Sequence, residues 1–423
     1  MACRQFQCIV PPHLLRGIAE SKVNPDHVRN AALTSLRARE QVTKLRAARM
    51  SALVASRGQR SGGEPSERSE SSTQHQEIVS PYILRGIAES EDVDEGARAR
   101  AKQDLQHVES LMSQRRAQAP LHSKEESDSK KDTPHRSIYD AKNSSNETEL
   151  PGKLILSEGE DKVKDKAVND AYDNVGTVLE FYKEHFKWNS IDNKNMDVKS
   201  TVHFGQNYEN AFWDPERLQM VFGDGDDFLN NFTGCIDVIG HELTHAVTEH
   251  TSPLDYYGQP GALNEHVSDV FGIMVKQQVQ DEKSDVADWL IGEDCILPGV
   301  KGVALRSMKA PGTAYDDPRF GKDPQPNHMK DYKVMVDDNG GVHVYSGIPN
   351  RAFYLASVAF GGYSWEKAGK IWWLAMKSGK IAPKSQFKHF ADITVETAEE
   401  EFGEDSAKIV RQAWTDVGVT RGI

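Results

Sequence analysis

Two histidines and a glutamate stand together in the run HELTH, as His241, Glu242 and His245. Residues four apart project from the same face of a helix, so both imidazoles can bind one Zn²⁺ while Glu242 lies beside a metal-bound water. Twenty residues after His245 the chain reads GALNEHVSD, which offers Glu265 as a third ligand. Three protein ligands leave one position of a tetrahedral zinc for water. The two segments together predict a zinc site built for hydrolysis.

Asp269 follows Glu265 by four residues and therefore shares its helical face. In that position it can accept the free N–H of a ligand histidine and fix its tautomer. If HELTH is considered alone, the alternative to a zinc site is two ordinary histidines on the surface of a helix. One buried face of the HELTH helix is predicted from the apolar residues Ile236, Ile239, Leu243 and Val247.

The region from about Ile138 to the C-terminus resembles the thermolysin family of neutral metallopeptidases. The resemblance implies a zinc endopeptidase made as an autoprocessed zymogen, with protein or peptide substrates and its own propeptide bound in cis. PPHLL, at Pro11 to Leu15, is similar to a motif in the short propeptides of the protealysin-like group. Beyond HELTH, the motifs that carry the resemblance are NAFW (Asn210 to Trp213), GALNE (Gly261 to Glu265), ALRSM (Ala304 to Met308) and DNGGVH (Asp338 to His343).

The chemistry of peptide hydrolysis assigns Glu242 the proton transfer from the zinc-activated water to the leaving amine. Developing charge on the carbonyl oxygen needs hydrogen-bond donors. The resemblance implies that Tyr256 and His343 supply them and that Asp338 orients His343. DNGGVH is the context for that role, because a histidine in a Gly-rich turn is otherwise typical of the surface.

Substrate-binding residues are also implied by the resemblance. Asn210 and the backbone of Ala211 would hold an extended peptide, and the Arg306 guanidinium would bind the carbonyl after the cleaved bond. A pocket that favours cleavage before bulky apolar residues would be lined by Leu229, Phe232, Val238, Ile291 and Leu305. Each of these five residues is equally compatible with an ordinary core position. Phe232 and Cys295 replace expected aliphatic residues, which leaves the pocket size open.

Two positions depart from the family pattern. The family's double calcium site would draw on Asp237, Asp288 and Glu293, but Lys276 stands where a glutamate would bridge the two ions. A lysine ammonium among three carboxylates can replace calcium, so we expect at most one tightly bound Ca²⁺. Tyr345 stands in place of an asparagine, with an effect that the sequence leaves open.

The remaining periodicity predicts an α+β fold. A helical pattern runs from Val163 to Phe186, strand-like pieces span Ser200 to Phe204 and Leu218 to Phe222, and the chain from Val267 onward is mostly helical. With the resemblance, this implies a two-lobed thermolysin-like catalytic unit, with a mixed α/β N-terminal lobe and an α-helical C-terminal lobe, preceded by a helical propeptide region. The expected divisions are 1–55 (first propeptide-like segment), 56–76 (linker), 77–112 (second propeptide-like segment), 113–137 (processing linker), 138–250 (N-terminal lobe) and 251–423 (C-terminal lobe).

A duplicated segment precedes the catalytic region. PPHLLRGIAES, at Pro11 to Ser21, recurs as SPYILRGIAES, at Ser80 to Ser90, with eight of eleven residues identical and an offset of 69. Helical patterns follow at Val28 to Ala48 and from Ala97 to Met112. Both copies are predicted to inhibit the enzyme; alternatively, they are helical additions that merely pack on it. A shorter tether favours the second copy as the main block by about 1 kcal/mol, with activation by a cut between Ser113 and Ile138.

Charge is unevenly distributed along the chain. The formal net charge is −13, yet residues 1–60 hold 11 Lys and Arg against three acidic residues, a balance of +8 that leaves −21 for the rest. This pattern indicates either a solvated basic helix or a basic arm that docks on an acidic enzyme. No aromatic interleaving or motif supports nucleic-acid binding, so no nucleic-acid partner is expected.

The four cysteines, Cys3, Cys8, Cys235 and Cys295, lack zinc-knuckle spacing and are predicted to be free thiols. The N-terminus lacks the apolar core of a secretory signal, and no apolar stretch is long enough to span a membrane. We therefore expect a chain that is cytoplasmic at synthesis, with secretion by a signal-independent route left open, and a monomer.

A second function stays open beside the peptidase. Lys276, Tyr345 and the enlarged N-terminal region are compatible with a catalytically weak relative that acts as a binding or adhesin protein. Intact HELTH, Glu265 and His343 favour the peptidase, because a binding protein has no physical need for Glu242.

Overall fold

The N-terminal lobe is built around one six-stranded sheet. The structure, a computed structural model, describes residues 7–8, 10–36, 133–208, 210–214, 217–225, 229–318 and 321–421. The strands are β1 (Gln7–Cys8), β2 (Arg136–Asp140), β3 (Lys153–Ser157), β4 (Val198–Val202), β5 (Ala211–Asp214) and β6 (Gln219–Phe222). Their order is β1-β5-β6-β4-β2-β3. Strand β4 runs parallel to β2 and β6, and the other neighbours are antiparallel.

The first copy of the repeat belongs to the same compact unit as the catalytic region. It forms α1 (Pro12–Glu20), which begins at a proline, whose fixed φ suits the first helical position. Helix α2 covers residues 26–36, the end of that described range. The structure thus describes part of the helix predicted over Val28 to Ala48. The second copy, its helix and the linkers at 56–76 and 113–132 lie outside the described residues.

The predicted long helix is α3 (Lys166–Phe186). It begins three residues later than the apolar pattern suggests, because Asp165 caps it by accepting a hydrogen bond from the Ala167 N–H at 3.0 Å. It packs against β2, β3 and β4. The Tyr182 hydroxyl also lies 2.7 Å from Thr244 Oγ1 of the HELTH helix. Helix α3 therefore fixes the HELTH helix relative to the sheet.

Strand β2 begins at Arg136, upstream of the predicted start of the catalytic lobe at Ile138. Arg136, two residues upstream, donates to Glu158 through Nε at 2.7 Å and Nη2 at 2.5 Å. Ile138 itself is fully buried and pairs with both neighbouring strands. A cut immediately before Ile138 would divide this strand. The strand that contains Ile138 thus begins two residues before the predicted boundary at residue 138.

The C-terminal lobe is helical, as predicted, but with an irregular middle. Among the described residues of 281–336, regular structure is limited to two-residue strands and one short 3₁₀ helix. Prediction of a mostly helical chain from Val267 onward was therefore too broad. Among the helices described, none is long and apolar enough to cross a membrane. The helices after α3 are α4 (Ile236–Thr251), α5 (Gly258–Gln280), α6 (Asp337–Tyr345), α7 (Gly347–Phe360), α8 (Ala368–Lys377), α9 (Phe387–Phe402) and α10 (Glu404–Asp416).

Candidate active site

Helix α4 carries HELTH through the middle of the molecule. Every residue from Asp237 to Thr248 is buried, so the prediction of a single buried face was too narrow. The helix packs against α3, α5 and β5, and so it has neighbours on several sides. Ile236, by contrast, is only half-buried.

Two glycines let α4 and α5 approach closely. A Cβ added at Gly240 would lie 3.0 Å from the Gly272 Cα, and one added at Gly272 would lie 2.5 Å from the Asp237 carbonyl oxygen. Any larger residue would push the helices apart. This close crossing brings the ligand side chains of the two helices together.

His241, His245 and Glu265 form a buried cluster with the geometry of a metal site. Their candidate ligand atoms all lie within 4.8 Å of one another. The two Nε2 atoms are 3.0 Å apart, and the Glu265 oxygens lie 3.4 Å from His241 Nε2 and 3.5 Å from His245 Nε2. Two imidazole nitrogens and a carboxylate, all fully buried, suit Zn²⁺. The structure thus brings together the three predicted ligands.

Protonation in the cluster also fits a cation. Burial lowers the pKa of His241, but hydrogen bonds to Asp269 and Glu265 outweigh it and raise the pKa to about 9. The pKa of His245 is lowered to about 3, first by burial and then by the charge of His241. Because these carboxylates favour a positive charge on His241, a metal ion bound here would take the place of a proton on that imidazole.

Asp269 orients His241, as the spacing predicts. Its Oδ1 lies 2.8 Å from His241 Nδ1. The same carboxylate accepts two hydrogen bonds from Arg306, from Nε at 2.8 Å and from Nη2 at 2.7 Å, and a third from Asn350 Nδ2 at 2.9 Å. Arg306 and His241 hold the pKa of Asp269 well below its usual range despite burial. Arg306 therefore fixes Asp269, which in turn orients the ligand His241.

The corresponding support for His245 was not predicted from the sequence. His245 Nδ1 lies 2.9 Å from both Asn264 Oδ1 and Ser268 Oγ. Both residues belong to GALNEHVSD, where they flank Glu265 by one and three positions. Their helical spacing on α5 was a usable signal, since they lie near the same face as the ligand.

Glu242 is fully buried beside the metal cluster. Neither of its carboxylate oxygens accepts a hydrogen bond from another described residue. Burial raises its pKa to about 8. A buried carboxylate with no partner is costly unless a ligand completes its surroundings, and a nearby cation would lower the pKa again.

Tyr256 and His343 reach the same point from two different segments. The Tyr256 hydroxyl donates to Glu265 Oε1, and His343 Nε2 lies 3.4 Å from Glu265 Oε2. Asp338 holds His343 with Oδ1 2.7 Å from Nδ1, while its Oδ2 accepts from the His343 backbone N–H at 2.9 Å. The structure therefore brings these three predicted residues to the metal cluster.

Strand β5 is the edge at which an extended chain binds. Val10 of the N-terminal segment donates its N–H to Asn210 Oδ1 at 3.0 Å, and Asn210 Nδ2 donates to the Val10 carbonyl at 3.4 Å. Just upstream, β1 pairs antiparallel with β5. The Ala211 N–H also donates a hydrogen bond to Asn210 Oδ1, at 2.9 Å. The N-terminal segment just before the first copy of the repeat thus adds a sixth strand to the sheet.

Helix α1 continues this docking surface. Leu14, Leu15 and Ile18 are buried in the same core cluster as the predicted pocket residues. His13 Nε2 lies 2.8 Å from the Tyr315 hydroxyl, and Ser21 Oγ donates to the Pro318 carbonyl at 3.0 Å. These contacts are those of the first copy. The second copy lies outside the described residues, so the tether-based prediction that it is the main block stays a prediction.

The five predicted pocket residues are buried together, each with at most 2% of its surface exposed. Phe232 belongs to a short 3₁₀ helix just before α4, and Ile291 and Leu305 lie on or beside a two-stranded sheet. They share one apolar cluster with Val10 and Leu15. Tyr345 belongs to the same apolar cluster, and its hydroxyl accepts a hydrogen bond from the Lys333 N–H at 3.1 Å.

Lys276 lies at the predicted calcium position. Its ammonium donates to Glu293 Oε2 at 2.9 Å, to Asp288 Oδ2 at 3.1 Å and to the Leu290 carbonyl at 3.2 Å. Asp237, the third predicted carboxylate, instead accepts from the Gly292 N–H at 2.6 Å. Its charge still raises the pKa of Lys276 against the effect of burial. The lysine therefore contacts two of the three carboxylates directly.

This cluster leads to a prediction about calcium. Adding millimolar Ca²⁺ to chelator-treated protein is expected to raise Tm by less than about 2 °C, because the ammonium already neutralises the carboxylates. A site filled at 100 times its Kd would add about 2.7 kcal/mol and shift Tm by roughly 5–10 °C. Calorimetry checks this, with Lys276→Glu as the matched variant that should gain a calcium response. A large shift in the unmodified protein would contradict the charge argument.

Comparison with known proteins gives matches over most of the chain. Residues 112–249 match the catalytic domain of thermolysin metallopeptidases, and residues 252–419 match their alpha-helical domain. Residues 76–120 match the protealysin propeptide, so this match lies on the second copy of the repeat. The first copy lies outside the three matched ranges.

Individual relatives agree with these matches. Protease PrtS from Photorhabdus sp. (strain Az29) is 47% identical over 350 residues, 81% of this chain and 91% of that protein. An extracellular metalloprotease from Pectobacterium carotovorum subsp. carotovorum is 46% identical over 343 residues, 81% of this chain and 96% of that protein. The solved precursor of protealysin, a metalloproteinase from Serratia proteamaculans, is 46% identical with a TM-score of 0.66, covering 81% of this chain and 99% of that one. None of these supports the binding or adhesin alternative.

Proposed function

The chain belongs to the thermolysin family of metallopeptidases, and on that premise we propose that it is a zinc endopeptidase, made as a zymogen, that cleaves before bulky hydrophobic residues. The observation that carries the proposal is Glu242, a buried carboxylate without a described partner beside three metal-ligand side chains. A structural role gives no reason to leave such a group unpaired. A water between Glu242 and the metal would satisfy it.

Each catalytic group has one task in this proposal. His241, His245 and Glu265 would hold the zinc ion, which when bound would supply Lewis-acid chemistry to the scissile carbonyl and to a water. Glu242 accepts the proton of that water and passes it to the leaving amine. Tyr256 and His343 donate hydrogen bonds to the carbonyl oxygen as negative charge develops there.

Substrate is held as an extended strand. The side chain of Asn210 contacts both the N–H and the carbonyl of Val10, and a substrate residue takes the same place once the N-terminal segment leaves. Ala211 continues that edge, and Arg306, fixed by Asp269, binds the carbonyl after the cleaved bond. The residue after that bond enters the pocket lined by Leu229, Phe232, Val238, Ile291 and Leu305. Burying a leucine-sized side chain there contributes about 1.5–3 kcal/mol.

A paired assay tests this function. Activated enzyme is expected to lose activity with a zinc chelator and to regain it with one equivalent of Zn²⁺. Two peptides that differ only by Leu or Gly after the cleaved bond should differ in kcat/KM by roughly 10- to 100-fold, because only leucine fills the pocket. Equal rates would reject the pocket, whereas activity that survives chelation would reject the metal mechanism.

We also propose that the first copy of the repeat is what closes the groove in the intact precursor. Val10, directly before this copy, occupies Asn210, and Leu14 and Leu15 are buried in the apolar cluster that includes the pocket residues. The second copy, which matches the propeptide description, has the same apolar residues at most of the docking positions. It is therefore a second occupant for the same groove, and processing must remove both.

A further inference from the structure

Two cysteines meet in the interior although they lie 60 residues apart in the chain. The Sγ atoms of Cys235 and Cys295 are 2.8 Å from each other, and both side chains are buried. They are free thiols in this structure, as the sequence analysis predicted. A disulfide bond is about 2.05 Å long, so the sulfurs need to approach by less than about 1 Å to form one.

The backbone already holds the two segments side by side. The Asn230 N–H donates to the Cys295 carbonyl at 2.8 Å, and Leu229 pairs with Ile296 in an isolated bridge. Cys235 immediately precedes α4, and its side chain makes no capping hydrogen bond to that helix. These backbone contacts hold the segments that carry the two cysteines next to each other.

We propose that Cys235 and Cys295 are a redox modification site that closes to a disulfide when the protein meets a small-molecule disulfide. The Cys235 thiolate attacks that disulfide and forms a mixed disulfide, releasing one thiol. The Cys295 thiolate then attacks the Cys235 sulfur and releases the second thiol. The two protons lost by the cysteines are taken up by the two released thiolates, and the small disulfide receives both electrons.

The bond would link the start of the HELTH helix to the segment whose residues accept hydrogen bonds from the Lys276 ammonium. Cys235 lies six residues before His241, and Cys295 lies two residues after Glu293, which contacts the lysine ammonium. Gly292 in the same segment is bonded to Asp237 of α4. A disulfide across a 60-residue loop would thus reinforce, by a covalent link, a region that now depends on an ion-pair cluster.

Burial sets the conditions for oxidation. Burial raises the pKa of the Cys295 thiol, so little thiolate is present in the folded protein. Exchange is therefore slow in the folded state and faster during folding or local opening. The experiment must allow for this by refolding the full chain in a buffer of oxidised and reduced glutathione.

Peptide mapping of the full chain after this refolding tests the proposal without any substitution. We expect a linked peptide pair that contains Cys235 and Cys295 and disappears on reduction. Tm of the oxidised protein should fall on the order of 10 °C with reductant. In Cys295→Ala this fall should vanish, and any residual effect would report Cys3 and Cys8. Recovery of both thiols, alkylated after denaturation, from protein equilibrated with excess oxidised glutathione would overturn the proposal, as would a linked pair with no effect on Tm. Neither outcome depends on peptidase activity.

Discussion

Glu242→Gln is expected to retain one zinc ion and the native fold while kcat/KM falls by about 10³-fold. The reason is that glutamine has nearly the same shape but cannot accept a proton from water. The three ligands, His241, His245 and Glu265, are unchanged, so metal content should be unchanged. The precursor should also stop processing itself.

The measurement combines metal analysis, calorimetry and turnover of a fluorescent peptide. Because the first copy occupies the groove, all variants are compared after the same limited proteolysis by an unrelated protease. Glu249→Gln is the matched control, since it makes the same chemical change on the same helix, two turns beyond Glu242. Loss of zinc in Glu242→Gln, or turnover like that of the unmodified enzyme, would refute the assigned role.

Leu15→Asp is expected to open the groove of the precursor and tighten the binding of an extended peptide by at least about 10-fold. Leu15 is fully buried in the cluster shared with the pocket. Placing a carboxylate there costs several kcal/mol and releases the segment. Leu84→Asp is the matched control, because Leu84 is the equivalent residue of the second copy. It is expected to leave peptide affinity unchanged.

Glu242→Gln precursor provides the background for this comparison, since it prevents self-processing and turnover. Affinity is measured by fluorescence anisotropy with a peptide that carries a bulky apolar residue. An effect of Leu84→Asp without one of Leu15→Asp would restore the tether argument and assign the block to the second copy. An effect limited to the double variant would show that each copy replaces the other in the groove.

The metal site could be predicted from the sequence because its geometry is mostly local. His241 and His245 are one helical turn apart, and Glu265 and Asp269 repeat that spacing on the next helix. Asn350 was missed because it reaches Asp269 from 81 residues away, a distance over which no sequence period operates. The full burial of α4 was missed for a related reason, since it depends on elements packed from distant parts of the chain.

The choice between the two copies of the repeat shows a different limit. The copies share most residues that dock, including the equivalents of Val10, Leu15 and Ile18. Tether length then decides which copy is predicted to be the main block. Its contribution to the free energy of docking is only about 1 kcal/mol. A few contacts, such as that of His13 with Tyr315, can outweigh such a small difference, so the sequence alone does not decide which copy is the main block. The helix cap at Asp165 and the start of β2 at Arg136 were missed because polar side-chain partners move element boundaries by a few residues.

Removal of the N-terminal segment leaves β5 as the open margin of a five-stranded sheet. A peptide that pairs with β5 is recognised through its main chain, which is common to all sequences. Selectivity between sequences is therefore determined by a single side-chain pocket. A substrate segment must therefore lose its own secondary structure and adopt an extended conformation over several residues before it can be cleaved. Helices and strands already paired within a folded protein cannot do so without opening first. For this enzyme, the local unfolding of its targets is expected to govern where they are cut as much as the identity of the residue at the cut.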